Sequence, residues 1–147
     1  MNTCFGPADI LLPRDEETAA LWPVVACDQF TSQRDYWEKA AALVEKWHAE
    51  GMSTVAIMAR SRKTLDKMSK KYGWPVLDPD GEEYPSGIML APADTVKGLE
   101  FDAVIIIDAD DRTYPARPLD ARLLYVCLTR ALHRMAVMYR GAPTPLI

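Results

Sequence analysis

Histidine, cysteine and glycine are scarce in this chain of 147 residues, numbering 2, 3 and 7. Cys4, Cys27 and Cys127 are odd in number, widely spaced and free of any C-x-x-C pair, and only His48 and His133 could join them. That pattern excludes a disulfide framework and a zinc site and predicts buried, reduced thiols, so no metal is expected. Long apolar runs are missing too. The continuous run Ala103–Ile107 falls far short of the roughly 18–20 residues that cross a bilayer, and no basic segment followed by an apolar one opens the chain. A cytoplasmic protein with no membrane partner is expected. Basic residues number 17 against 21 acidic, a net charge of −4, so no global positive field advertises nucleic acid and any such site must be a local patch. What remains is ordinary globular composition, 49% hydrophobic and 26% charged, at a length of about one domain.

The first 33 residues are broken by Pro7, Pro13 and Pro23, with brief strand candidates at Asp9–Leu12 and Val24–Ala26. From Arg34 the pattern changes. Tyr36, Ala40, Leu43, Val44 and Trp47 recur at helical spacing, and Gly51 stands where a helix would stop. Thr54–Met58 reads as a strand, followed by a helix that Ser61 caps and that ends near Tyr72 before Gly73 and Pro75. Turn signals fill Trp74 to Gly87, with a two- or three-residue strand at Val76–Leu77, and Ile88–Leu90 is a further short strand. Ala103–Ile107, ended by Asp108-Ala109-Asp110-Asp111, predicts a central parallel strand covered on both faces. Leu119–Leu132 carries a helical stripe of Leu124, Cys127, Leu128 and Ala131, and Ala136–Tyr139 predicts a closing strand. The alternation implies βαβ units and an open, mainly parallel α/β sheet.

Charge lies in bands. Arg60 to Lys71 holds six basic residues against Asp66 alone; Asp78 to Asp111 holds ten acids against Lys97; Arg112 to Arg140 holds six arginines against Asp120. The first band reads either as a solvated helix face or as a phosphate-binding surface. Trp22, Trp37, Trp47 and Trp74 are expected in the core rather than on bases.

Two segments offer chemistry. Lys97-Gly98-Leu99-Glu100-Phe101-Asp102 precedes the strongest strand, and its glycine permits a positive φ or the close approach of a ligand. Arg130 and Arg134 follow an apolar helical pattern at i, i+4, where they serve either the helix dipole or bidentate binding of a phosphate.

Taken in order, Lys97–Asp102, the strand Ala103–Ile107, a variable loop, Leu123–His133 and a closing strand resemble motifs V and VI of the second RecA-like motor domain of superfamily 1 helicases of the UvrD/Rep type. Leu132-His133-Arg134 and Gly141-Ala142-Pro143 look closest to the HelD/helicase IV branch. The resemblance implies a RecA-like, P-loop NTPase-type α/β fold over residues 36–147. It also implies that Gly98 and Glu100 meet a nucleotide and that Arg130 is a finger on its terminal phosphate. Arg60, Ser61, Lys63 and Thr95 would face single-stranded DNA, although Pro92, Ala93 and Asp94 replace residues with which the family contacts DNA.

No G-x-x-x-x-G-K-[ST] and no acidic pair of Walker B type occur, so the chain lacks a P-loop of its own. ATP with Mg²⁺ is expected only when a P-loop-bearing helicase domain is supplied in trans, and no autonomous ATPase is expected. Two alternatives stand beside this: a non-catalytic interaction module or relic of the fold, with RNA polymerase as a partner, and a phosphohydrolase using Asp108, Asp110 and Asp111. Residues 1–35 read as an extension. With Trp22–Ser32 and Tyr36-Trp37-Glu38 they resemble the opening of an uncharacterised bacterial family, so a fusion or truncated gene is the expectation.

Overall fold

The computed structural model describes residues 24–28, 30–78, 80–81 and 86–147. Cys4, Trp22 and the strand candidate at Asp9–Leu12 lie outside the described residues. Five strands form one sheet: β1 (Val24–Cys27), β2 (Thr54–Ala59), β3 (Gly87–Pro92), β4 (Phe101–Ile106) and β5 (Ala131–Arg140). Their spatial order is β1-β5-β4-β2-β3 and every pairing is parallel, which bears out the expected RecA-like α/β architecture. Three α-helices lie among the described residues: α1 (Gln33–Ala49), α2 (Arg62–Tyr72) and α3 (Pro118–Leu128).

The period-two geometry of a strand sorts the apolar residues onto two faces. Val55, Ile57 and Ala59 of β2, with Ala103 and Ile105 of β4, pack against Tyr36, Ala40, Val44 and Trp47 of α1 and Leu65 and Met68 of α2. Ala56 and Met58, with Val104 and Ile106, pack against Leu124, Cys127 and Leu128 of α3. The central strand is therefore apolar at consecutive positions because both of its faces are covered, as its unbroken branched run predicts.

Local signals place the helix ends. The Ser32 hydroxyl accepts from Asp35 N–H at 3.1 Å to cap α1, and that of Ser61 accepts from Thr64 N–H at 3.3 Å to cap α2. Gly73 closes α2 in the left-handed region at φ +77°. The segment after it lies along the outer edge of β3, where Leu77 N–H donates to the Leu90 carbonyl at 2.7 Å and Leu90 N–H to the Pro75 carbonyl at 2.9 Å. The expected strand at Val76–Leu77 is thus a single bridge, which satisfies the outward N–H and carbonyl of Leu90 at the edge of the sheet.

Two expectations change. The third helix ends at Leu128 rather than near Leu132, and the last strand starts at Ala131 rather than Ala136. The Thr129 hydroxyl turns back onto the Tyr125 and Val126 carbonyls, both at 3.0 Å, while Phe101 pairs with Ala131 in the sheet. Strand pairing overrides the helical pattern of Ala131 and Leu132. Arg134 therefore lies in β5, not one helical turn beyond Arg130, and its guanidinium pairs with Glu50 at 2.5 Å. The second change concerns β1. It lies inside the segment assigned to the extension, yet it pairs with β5 from Val24↔Val137 to Cys27↔Arg140.

Candidate functional site

The loop that leads into β4 and the turn that leads into β5 meet at the N-terminal edge of the sheet. Leu99 N–H closes a turn on the Val96 carbonyl at 3.0 Å, with Gly98 at φ +85° and no atom within 4 Å of where its Cβ would stand. The backbone, not crowding, demands glycine, and the space beside it is open. Phe101 N–H then donates to the Arg130 carbonyl at 2.9 Å. In return the Arg130 side chain donates from Nη1 to the Leu99 carbonyl at 3.4 Å, from Nε to the Val126 carbonyl at 3.1 Å and from Nη2 to the Thr129 hydroxyl at 3.2 Å.

All three acceptors are neutral, and no carboxylate among the described residues forms an ion pair with Arg130. The guanidinium is oriented by the fold while its charge stays uncompensated, which suits an anion. Gly98 and Arg130 are brought to one edge, with exposed Lys97 and Glu100 on the same loop. Below them Asp102 fixes the start of β4: its Oδ2 accepts from Ser53 N–H at 2.8 Å and Thr54 N–H at 3.2 Å, and its own N–H donates to the Thr54 hydroxyl at 2.9 Å.

Arg60 and Ser61 stand at the opposite edge, where β2 ends. Arg60 Nη1 donates to the Thr113 carbonyl at 2.5 Å and to Asp120 Oδ1, and the guanidinium lies over the Tyr114 ring, 5.6 Å from its centroid. Asp120 is 2% exposed and also accepts from Arg117 Nε at 2.9 Å. The Arg60 hydrogen bond, helped by Arg117, holds the Asp120 carboxyl below the usual carboxylate range. Unlike Arg130, Arg60 is neutralised inside the protein. Ser61 is occupied as a helix cap, Lys63 is exposed on α2, and Thr95, in the 3₁₀ turn after β3, turns its hydroxyl back to the Pro92 carbonyl at 2.8 Å. These four residues do not converge on one point as Gly98 and Arg130 do.

The acids after β4 are engaged with their own surroundings. Asp110 Oδ1 accepts from Arg112 N–H at 3.1 Å and Thr113 N–H at 2.7 Å, a local turn. Asp108 takes φ +57°, and its N–H donates to the Tyr36 hydroxyl at 2.7 Å, which itself donates to the Met138 carbonyl at 3.2 Å. Burial pushes the Asp108 carboxyl above its ordinary range, and burial likewise raises the Tyr36 hydroxyl. Among the described residues no group of three or more His, Cys, Asp or Glu is gathered as a metal would need. Cys27 and Cys127 are both buried and reduced, and desolvation pushes the Cys127 thiol up to about 12. No helix among the described residues is long and apolar enough to cross a membrane.

Sequence reasoning missed Asp120 as the partner of Arg60. A signal existed, because Asp120 is the one acid in the arginine-rich band from Arg112 to Arg140. It missed also that Thr129 and the Leu99 carbonyl hold Arg130, since backbone acceptors leave no mark in a sequence.

Comparison with known proteins adds two findings. Residues 93–138 match the family described as UvrD-like helicase C-terminal domain. Among solved structures, the C-terminal domain of a possible DNA helicase from Lactobacillus plantarum WCFS1 is 28% identical, with a TM-score of 0.72 over 95% of this chain and 84% of that one. No curated protein matches. The chain is thus similar to a UvrD-type C-terminal domain in sequence over residues 93–138 and in fold over nearly its whole length, as the motif resemblance implies.

Proposed function

We propose that this chain is the C-terminal motor domain of a UvrD-type DNA helicase and supplies one half of an ATP site. The observation that carries this reading is Arg130, whose guanidinium is fixed by three neutral acceptors and left without a carboxylate among the described residues. Its position beside the Gly98 turn joins the two segments that the family match spans.

In this reading Arg130 stabilises the charge that develops on the terminal phosphate when ATP is hydrolysed, and Gly98 leaves the approach open. Glu100 stands on the same loop and meets the ribose or the phosphates. The phosphate cradle and the magnesium ligands belong to a P-loop-bearing partner domain, since neither is found in this sequence or among its described residues. Single-stranded DNA is the proposed second ligand. Lys63 is the most available of the four residues assigned to it, because Arg60, Ser61 and Thr95 already hold partners within the protein.

ATP turnover by the chain alone, and mixed with the P-loop-bearing domain of a UvrD-type helicase, tests the half-site. The expected result is background turnover alone, stimulation in the mixture, and loss of that stimulation by about 10³-fold or more in Arg130→Ala. Arg130→Lys should also fail, because an ammonium lacks the fork. Turnover by the isolated chain, no stimulation, or an unaffected Arg130→Ala mixture overturns the reading.

A further inference from the structure

α3 covers one face of the sheet as α1 and α2 cover the other, yet its outer side is built differently. The outward positions of α1 and α2 carry charge, at Arg34, Glu38 and Glu45 on the first and at Arg62, Lys63 and Lys67 on the second. In α3 only Asp120 and Arg122 are charged, and every other residue is apolar or aromatic. Asp120, Leu124, Cys127 and Leu128 form its buried side. At about 100° per residue Leu119, Arg122 and Val126 fall on the opposite side, flanked by Leu123 and Tyr125. Leu119 is 71% exposed and Tyr125 44%, and Leu123 and Val126 are half-buried. Neither α1 nor α2 presents an exposed large apolar side chain. A helix that is apolar all round is one that is covered all round.

The same side carries charge of one sign. Asp120, the one carboxylate of α3, is buried and held by Arg60 and Arg117. Arg122 is exposed in the middle of the apolar stripe, three residues from Leu119 and three from Tyr125, and none of the ion pairs between described residues contains it. Arg117, at the start of the helix, keeps 70% of its side chain exposed. A cationic apolar stripe thus stands on a chain whose net charge is −4. A second copy of the chain fits it poorly, since two such stripes face to face would bring Arg122 against Arg122 with no exposed carboxylate on either helix.

We infer that the outer side of α3 is a docking surface for an acidic amphipathic helix of a partner protein, with Leu119, Tyr125 and Val126 against its apolar side and Arg122 against a carboxylate. Leu119, Leu123 and Val126, at i, i+4 and i+7, make a ridge about 10 Å long of the kind against which another helix packs. An arginine set among leucine and tyrosine is also the composition of an interface centre rather than of a solvated helix face. The partner's carboxylate supplies the counter-charge that α3 lacks and fixes the orientation of the docked helix. The inference goes beyond the helicase reading and uses none of the residues placed in the half-site or on the proposed DNA surface.

The test is fluorescence anisotropy of a labelled synthetic peptide of about 15 residues, with leucine at helical spacing and glutamate on both flanks, titrated with the full chain. A second peptide carries lysine in place of every glutamate. The wild-type chain should bind the glutamate peptide about tenfold or more tighter than the lysine peptide. Leu119→Ser and Tyr125→Ser should each weaken the glutamate peptide about tenfold without lowering the melting temperature, because both side chains are exposed. Arg122→Glu should reverse the preference between the peptides, which an unfolded variant would not do. No binding of the glutamate peptide by wild type, indifference to both serine variants, or an unchanged preference in Arg122→Glu each overturn the inference. So does binding to anionic lipid vesicles in place of the peptide, and so does a dimer in sedimentation that Leu119→Ser dissolves, which would make a second copy the occupant. Stimulated ATP turnover should survive Leu119→Ser, and peptide binding should survive Arg130→Ala, so failure of the half-site and failure of this surface are read separately.

Discussion

Half-buried Asp108 and buried Asp120 carry carboxyls that their surroundings push in opposite directions. Two arginines face Asp120 and hold it ionised, so its contribution is present above the ordinary carboxylate range and is lost as pH falls. Asp108 is dominated by desolvation, so ionising it destabilises the fold as pH rises past its ordinary range. Thermal melts at about pH 7 and about pH 3 should separate them. Asp120→Asn is expected to lower the melting temperature at neutral pH and to change it little in acid. Asp108→Asn is expected to raise it at neutral pH and leave it near wild type in acid, helped by the tolerance of asparagine for the left-handed backbone that Asp108 adopts. The same sign for both substitutions at neutral pH would contradict the assigned environments. Neither environment is legible from the acids themselves. Asp120 is set by a guanidinium 60 residues away at Arg60, and Asp108 by the desolvation that packing brings to it.

Most elements are legible because their signals are local. Ser32 and Ser61 cap helices, Gly73 stops one, and the branched run of β4 marks a strand covered on both sides. The boundary between α3 and β5 is not legible, because Ala131, Leu132 and Met135 fit a helix and a strand equally well until β4 is present to pair with them. There the hydrogen-bond ladder between Phe101–Ile106 and Ala131–Val137 decides. The Cα chemical shifts of Ala131 to Arg134 should accordingly fall on the strand side. Helical shifts across these four residues would restore the continuous helix and remove Arg130 from its contacts with Leu99. The candidate site divides in the same way. Gly98 and Arg130 can be picked out as residues, whereas their mutual hold depends on carbonyls that any residue would present.

Across the whole molecule the five strands act as one unit, and the four residues of β1 were too few to announce that they belong to it. Removing residues 24–32 would uncover the backbone donors and acceptors along the edge of β5, take away the Ser32 cap and withdraw the Thr31 carbonyl that Arg140 holds. A chain of residues 33–147 should therefore melt several degrees below one of residues 24–147, by loss of a cap worth about 1 kcal/mol and of β1 packing. It should also associate with rising concentration through its bare edge. Calorimetry and sedimentation on the two chains check this, and equal melting temperatures with no association would separate β1 from the folding unit. The reciprocal hold at the other rim has a mechanical meaning. Phe101 hangs from the Arg130 carbonyl while the Arg130 side chain hangs from the Leu99 carbonyl. Loop and arginine are thus buckled from both ends, and a pull on either travels to the other through two hydrogen bonds.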